Sequence, residues 1–516
     1  MTIGVWILGD QLSATQAALQ SCDRANTAVI LIESLAHVRV RPYHRQKLVL
    51  VWSAMRHFAE ELRAAHWQVT YVPAADDFVP VLDEWIRSHH LTELRVMQPA
   101  DRPFARFIQT LQLPCSVTII PNNQFLWSDS EFRQWASHRK RLLLEDFYRE
   151  GRKRFGVLMQ DGQPIGGVWN LDKENRKPPK QGLHPPQPLW IEPDAITQAV
   201  MEQVRQLDMP LYGNLEPFRW AVTRQQALQL LTDFINHRLP TFGPYEDAMV
   251  TGQDTLWHSL LSPYLNLGLL HPLEVIQAIE QAFTDRNLPL NSVEGCIRQV
   301  LGWREYMRGL YAYVDDDYPQ RNWFNHHHPL PDFFWTGDTE MNCLRQVLDQ
   351  VQRTGYAHHI QRLMILSNFA LIAGISPQAL ENWFHAAFID AYDWVMQPNV
   401  IGMGQFADGG ILASKPYAAS ANYINTMSDY CKGCVYSPKA RTGSNACPFN
   451  IFYWDFLIRH RAALTSQGRM SMILKNIDRF TLDEIVTIRQ QAADWHHRLS
   501  TVQSIKSMLS DSAKTL

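Results

Sequence analysis

No apolar run in the 516 residues is long enough to cross a bilayer, which takes about 20 consecutive apolar residues. Cysteine is scarce, and its count of seven is odd, which argues against the disulfide framework of a secreted protein. The opening stretch, Met1-Thr-Ile-Gly-Val-Trp-Ile-Leu8, has a strand pattern and lacks both the basic start and the cleavage site of a leader. A cytoplasmic location is the expectation. A surplus of one charge is also missing: 48 Lys and Arg face 51 Asp and Glu, a net of −3, so the molecule as a whole is no obvious polyanion binder. There is no internal repeat and no low-complexity tract. What the chain does have is 46% hydrophobic residues and 17 tryptophans. A chain this long and apolar buries a sizeable core in two or three domains. Tryptophan fills cores, but it also stacks on rings and relays electrons.

Residues 1–131 read as α/β. Strands are expected at Val5–Leu8, Ala28–Ile32, Gln68–Val72, Glu93–Met97 and Ser116–Ile120, with a helix from about Tyr43 to Ala65. Strands alternating with helices imply a parallel, doubly wound sheet, whose ligands sit beyond the strands' carboxyl ends. Asp10, Gln11 and Glu33 follow such ends. Residues 132–215 are basic and Pro-rich and read as a connector. Between Arg133 and Lys180 there are 12 Lys and Arg against six Asp and Glu, a local net of +6. Such a run is usually a solvated face, and it also suits a phosphate backbone. Residues 216–516 are helical, with periodic segments at 224–236, 272–282, 293–311, 343–354, 361–373, 377–388 and 449–460 and a final helical segment from about Asp478.

Cysteine carries the sharpest local signal. Cys431 and Cys434 form C-x-x-C, Cys447 follows after twelve residues with Pro448 behind it, and Cys343 lies upstream on an expected helix. Four thiolates can close around one metal centre, and spacing alone leaves structural zinc and a [4Fe–4S] cluster as rivals. A redox dithiol would want a thioredoxin-like strand-to-helix setting, which is absent. Cys22, Cys115 and Cys296 read as core cysteines.

Several segments together resemble the photolyase/cryptochrome flavoproteins. Ser259-Leu260-Leu261-Ser262-Pro-Tyr-Leu-Asn-Leu-Gly268 resembles the family's phosphate-side segment, and Trp303-Arg304-Glu305-Tyr306 its flavin-helix segment. The likeness is closest to the iron–sulfur bacterial branch, the prokaryotic (6-4) photolyases. It rests on Gly167–Lys177, on Gly355-Tyr-Ala-His358-His359-Ile-Gln-Arg-Leu-Met364, on Lys415-Pro-Tyr417, on Tyr423 and on the four cysteines. It covers essentially the whole chain.

The resemblance implies an all-α FAD-binding domain that carries a Cys₄ [4Fe–4S] cluster at Cys343, Cys431, Cys434 and Cys447. It implies a 6,7-dimethyl-8-ribityllumazine antenna on the α/β domain at Asp10, Gln11 and Glu33. The implied activity is light-driven repair of (6-4) photoproducts in UV-damaged DNA by a monomer, without a membrane. His359 would donate the proton, His358 would support it, and Tyr417 and Tyr423 would face the lesion. Paired histidines are more often structural, and tyrosines of this kind often only anchor loops. Ser259, Leu260, Leu261, Ser262, Trp303, Arg304, Asp390, Asp393 and Gln397 would serve the flavin, with Asp393 favoured over Asp390. Trp383 would be the near electron donor and Trp335 a distant relay. Phe384 stands beside Trp383 where some members have tyrosine. Lys153, Arg154, Arg176, Lys177, Lys180 and Lys415 would meet DNA phosphates without reading sequence. Three rival readings remain: a blue-light photoreceptor, a cyclobutane-dimer photolyase and a light-independent iron–sulfur module of primase type. The second usually carries Asn where this chain has His359.

Overall fold

A computed structural model describes residues 2–179, 183–465 and 470–512, with side chains to residue 499. Five strands, β1 (Ile3–Trp6), β2 (Thr27–Ser34), β3 (Gln68–Ala75), β4 (Glu93–Met97) and β5 (Ser116–Ile120), form one parallel sheet in the order β3-β2-β1-β4-β5. Ile3 pairs with Thr27 on one side and Glu93 on the other. All eight residues of β2, Thr-Ala-Val-Ile-Leu-Ile-Glu-Ser, are buried, as expected of a parallel strand covered on both faces.

Alternation along the strands divides the core. Trp6, Leu8, Ile30 and Ile32 pack with Leu82, Trp85 and Ile108 of the outer helices. Val5, Ile7, Val29 and Leu31 face the helix Arg45–Ala64, and their core runs on into the helical domain through Leu126, Trp127, Phe132 and Phe147. The order of strands reverses at β1, between β2 and β4, so a crevice opens beyond its carboxyl end.

The segment 132–215, which reads as a connector in sequence, is largely folded. Asp129–Ser137 starts with a capping box between Ser128 and Glu131. Leu144–Phe155 packs against the turn Arg298–Arg304, and Ala195–Gln206 against Arg45–Ala64. Phe132 lies so close to Gly309 that a Cβ there would come within 2.0 Å of its ring. The second core belongs to the C-terminal helices and gathers Leu344, Val347, Phe369, Trp383, Phe449 and Phe452. Three expected helices widen into π-helical turns, at Phe234–Arg238, Arg298–Arg304 and Gln361–Ser367, and a further one, Pro398–Gly404, falls where no helix is expected. The last helix is Leu482–Ser512. Among the described residues no helix is long and apolar enough to cross a membrane.

Candidate functional site

The first site is a cluster of histidine, tyrosine and apolar side chains in the helical domain. Gly355, at φ 65°, ends the helix Asn342–Thr354 and turns the chain into the His358-His359 segment. His358 is buried and lies flat on His258, with ring centroids 4.4 Å apart and planes at 11°. Neither nitrogen of His358, nor Nε2 of His258, has a protein partner. Burial, with neighbouring histidines next, holds His258 at about 3 and His358 well below its ordinary value. His359 is exposed to solvent although protein crowds its imidazole. That crowding, with Arg362 second, brings its imidazole to about 4, so it is neutral at pH 7.

The residues after His359 build an apolar cluster beside it. Leu363 and Met364 pack with Met307 and Met403, and Ile360, Trp303, Leu412, Tyr417 and Tyr423 lie against them. Three segments distant in sequence thus bring the expected tyrosines and Trp303 to the histidine segment. Burial raises the Tyr423 phenol, which also feels Asp247 and Arg176.

Beside this cluster the Ser259–Ser262 turn is fastened. Leu260 has φ 60°, a conformation that costs a leucine roughly 1–2 kcal/mol and persists only where the surroundings impose it. Ser259 Oγ accepts from the Leu261 amide at 3.4 Å, and Ser262 Oγ donates to Asp390 at 2.7 Å. Arg362 grips the same carboxylate through two nitrogens, at 2.9 and 3.2 Å. Burial alone would raise Asp390, but Arg362 and Ser262 outweigh it and hold the carboxyl below its usual range. Gln397 is buried with Oε1 unpartnered.

Two expected residues sit elsewhere. Asp393, favoured over Asp390 in the sequence, pairs with Arg41 at 3.0 Å and lines the N-terminal cavity, so Asp390 alone joins Ser262. The reason is helical: Asp393 begins the helix Asp393–Gln397, whose Trp394 amide donates to Asp101 and turns that end toward the sheet. Arg304 pairs with Glu305 at 2.7 Å, donates to Leu265 O and lies over Phe125 at 4.4 Å and Trp394 at 5.3 Å. It pins the loop at Phe125 to the helical domain, because Glu305 also accepts from the Leu126 and Trp127 amides.

The N-terminal cavity, of about 430 Å³, opens at the switch point beyond β1. Asp10, Glu33, Lys47, Asp101, Tyr392 and Asp393 line it. Burial raises Asp10 to about 6 and lowers Lys47 to about 7. Asp101 is pushed up by burial and then by the Asp393 carboxylate. Of the expected antenna residues, Gln11 does not line the cavity. Its amide donates to Met97 O at 3.0 Å and Gln98 O at 3.3 Å, tying β1 to β4. Glu33 lines it, but both carboxylate oxygens are already taken by Arg56, Tyr71, Gln203 and the Ala74 amide.

The four cysteines gather in the C-terminal core and form no disulfide. Burial first, then the other three sulfurs, raise Cys343 well above the usual thiol value, and Cys431 and Cys447 stand at about 11 and about 12. Among the described residues no three His, Cys, Asp or Glu side chains converge as a single ion's ligands would. Of the remaining cysteines Cys296 is buried, while Cys22 and Cys115 are only half-buried.

Trp383 is fully buried and donates to Phe334 O at 2.9 Å, whereas Trp335 is 38% exposed. Phe384 lies 5.5 Å from Trp383. Lys153 is exposed over Trp169, Arg154 pairs with Glu131 at 2.6 Å, Arg176 pairs with Asp172, and Lys177 is exposed. Lys415 is half-buried, and Lys180 lies outside the described residues. The residues that sequence reasoning missed are His258, Arg362, Arg41, Lys47 and Asp101. Only His258, next to Ser259, and Arg362, within the His-His segment, carried a usable sequence signal.

Comparison with known proteins gives the family and the fold. The family model described as "Deoxyribodipyrimidine photo-lyase-related protein" matches residues 5–220. A (6-4) photolyase of Agrobacterium fabrum is 46% identical over 502 residues, covering 96% of this chain and 99% of that protein. The fold is also that of a bacterial class III photolyase from Agrobacterium tumefaciens, with TM-score 0.57, 18% identity, and 80% and 81% of the two chains covered. It is likewise that of a Synechocystis sp. PCC6803 cryptochrome, with TM-score 0.55, 15% identity, and 78% and 82% covered. With the sheet, the helical domain and near-full-length identity in agreement, this chain belongs to the photolyase/cryptochrome family, in its (6-4) photolyase branch.

Proposed function

We propose that this protein is a DNA photolyase that uses blue or near-UV light to reverse (6-4) pyrimidine–pyrimidone photoproducts. The observation that carries this reading is the 46% identity across nearly the full length of both chains to a protein named for that activity. The residues of the helical-domain site fit FAD. Gln397 Oε1, both nitrogens of His358 and Nε2 of His258 are buried polar atoms that want partners. Ser259, Ser262, Arg362, Asp390 and Gln397 would hold it. Reduced FAD supplies one electron when light excites it, and receives one back after repair.

The protein's residues do the rest. A damaged pair unstacks at lower cost than an intact one, so the lesion can be flipped into the site. Trp303, Tyr417 and Tyr423 offer ring faces and hydroxyls to the flipped bases. His359 donates the proton that the rearrangement needs. In the free protein its imidazole is neutral at pH 7. An arriving phosphodiester is an anion, and a nearby anion raises an imidazole's pKa. Lesion binding therefore charges the donor at the moment it is needed, while the flat His258–His358 pair fixes the turn from which it projects. The exposed cations Lys153 and Lys177, together with Arg154 and Arg176, would position the backbone.

The four cysteines would hold a [4Fe–4S] cluster. Around zinc the sulfurs would stand roughly 3.8 Å apart, given a tetrahedral site with Zn–S near 2.3 Å. The four thiols here lie close enough to influence one another, and the likeness to the iron–sulfur branch favours the cluster. The N-terminal cavity would take 6,7-dimethyl-8-ribityllumazine, with Asp10, Lys47 and Tyr392 at its wall. A cytoplasmic location suits a chain whose seven cysteines are all unpaired.

Repair of a synthetic (6-4) thymine lesion under blue light tests the reading, with a cyclobutane dimer run in parallel. Reversal of the first alone is expected. Reversal of the dimer alone would overturn the lesion assignment, and reversal of neither, with flavin still photoreducing, would favour a photoreceptor.

A further inference from the structure

Trp383 and Trp335 make no ring contact with each other, and the residue between them comes from a different part of the chain. Leu211 and Tyr212 pair with Tyr43 and His44 in a two-residue parallel bridge that joins the connector to the α/β domain. That pairing sets Tyr212, 7% exposed, between the two indoles. Its ring centroid is 5.6 Å from Trp335 with the planes at 80°, and 6.3 Å from Trp383 at 68°. The other rings around Trp383 are Phe334 at 5.2 Å, Phe384 at 5.5 Å and Phe388 at 5.8 Å, none of them readily oxidised. Trp335 is the member that solvent reaches.

We propose that Tyr212 is the bridge through which an electron passes from Trp335 to Trp383, and that it keeps its phenolic proton throughout. The proposal rests on reading Trp383 as the donor nearest the flavin. The bookkeeping is one electron at each stage. Trp383 gives an electron toward the light-excited flavin and is left oxidised. An electron from Trp335 crosses Tyr212 and restores Trp383. A thiol reductant in solution then restores Trp335, releasing its own proton to water.

Tyr212 is a conduit rather than a stopping place because its proton has nowhere to go. The hydroxyl's acceptor is the Phe334 carbonyl at a long 3.5 Å, and a carbonyl is no base. The nearest imidazole, His44, has its ring 5.7 Å away. Its Nε2 faces the Val351 and Gln352 carbonyls and must donate, while Nδ1 accepts from the Gln46 amide, so no lone pair is free. Losing an electron without losing that proton is far harder for a phenol than for an indole.

The experiment is flash photoreduction of flavin-loaded protein with a thiol reductant, followed by transient absorption and by electron paramagnetic resonance of freeze-trapped radicals. Tyr212→Phe keeps the aromatic contact and is expected to match the wild type. Tyr212→Leu breaks contact between donor and acceptor and is expected to slow formation of the Trp335 radical by roughly tenfold or more. No tyrosyl signal is expected in any variant. Repair by chemically pre-reduced Tyr212→Leu protein should be unchanged, which separates a lost relay from a damaged fold. Trp383→Phe should abolish photoreduction; if it does not, the reading of Trp383 fails independently of Tyr212. Photoreduction of Tyr212→Leu at the wild-type rate, or of Tyr212→Phe as slow as Tyr212→Leu, would overturn the proposal.

Discussion

The N-terminal cavity and the helical site are both buried and both rich in charge, yet they handle that charge differently. In the cavity several charges find partners, although burial still raises Asp10 and burial with Asp393 raises Asp101. Asp393 meets Arg41, Glu33 meets Arg56, and Lys47 donates to the Ala391 carbonyl and sits 4.8 Å over each of two tyrosine rings. In the helical site three imidazoles are held neutral, and His258, His358 and Gln397 keep nitrogen or oxygen atoms with no protein partner. Buried polar atoms are rarely left unpaired, and both regions keep some, since His385 Nδ1 at the cavity wall lacks a hydrogen-bond partner as well.

That contrast can be broken from the helical side first. His359→Ala is expected to lower (6-4) repair by about 10²–10⁴-fold, the usual worth of a general acid, while flavin absorbance stays. Asp390→Ala leaves Arg362, whose side chain is only 14% exposed, without its carboxylate. A loss of about 3–5 kcal/mol in urea unfolding is expected, with flavin lost on gel filtration. On the cavity side Asp393→Asn should cost less, about 1–3 kcal/mol for a hydrogen bond to a charged group. It should cut antenna absorbance and leave repair under direct flavin excitation intact. Equal loss of flavin from the Asp390 and Asp393 variants would erase the distinction between the two regions.

Acidity sharpens the same contrast. The unfolded chain protonates its histidines near 6.5, whereas His359 and His258 wait until about 4 and about 3 in the fold. Between those values the unfolded state binds more protons. This contribution to stability is therefore full above about 6.5 and is lost as pH falls toward 4. A thermal melt of wild type against a His258→Phe, His358→Phe double variant should show the steeper acid loss in the wild type. The smallest effect is expected at the rim. Breaking the exposed Arg154–Glu131 pair with Arg154→Ala should change stability by less than about 1 kcal/mol, and weaken DNA binding equally for all sequences.

Much of the fold was legible because its signals are local. β2 holds the unbroken apolar run Ala28–Ile32, and strands β4 and β5 begin and end where the sequence placed them. The helices at 342–354, 377–387 and 448–459 differ from expectation by a residue at their ends. The π turns were not legible, since nothing in composition marks one, yet they carry Trp303, Leu363 and Met403 into the apolar cluster. The gathering of His359, Tyr417, Tyr423 and Trp303 was anticipated through the family resemblance rather than through spacing. Asp390 and Asp393 could not be told apart in sequence because only two residues separate them, and only the Trp394 amide's bond to Asp101 turns Asp393 toward the sheet. Tyr212 could not be found at all: its meaning depends on two indoles more than 100 residues away.

The most direct test of the central claim is the quantum yield of (6-4) repair with chemically reduced protein and light absorbed by the flavin alone, for wild type and for His359→Ala. The account predicts efficient reversal by the wild type and almost none by the variant, with both binding lesion DNA to a similar degree. Equal yields from the two proteins would contradict it.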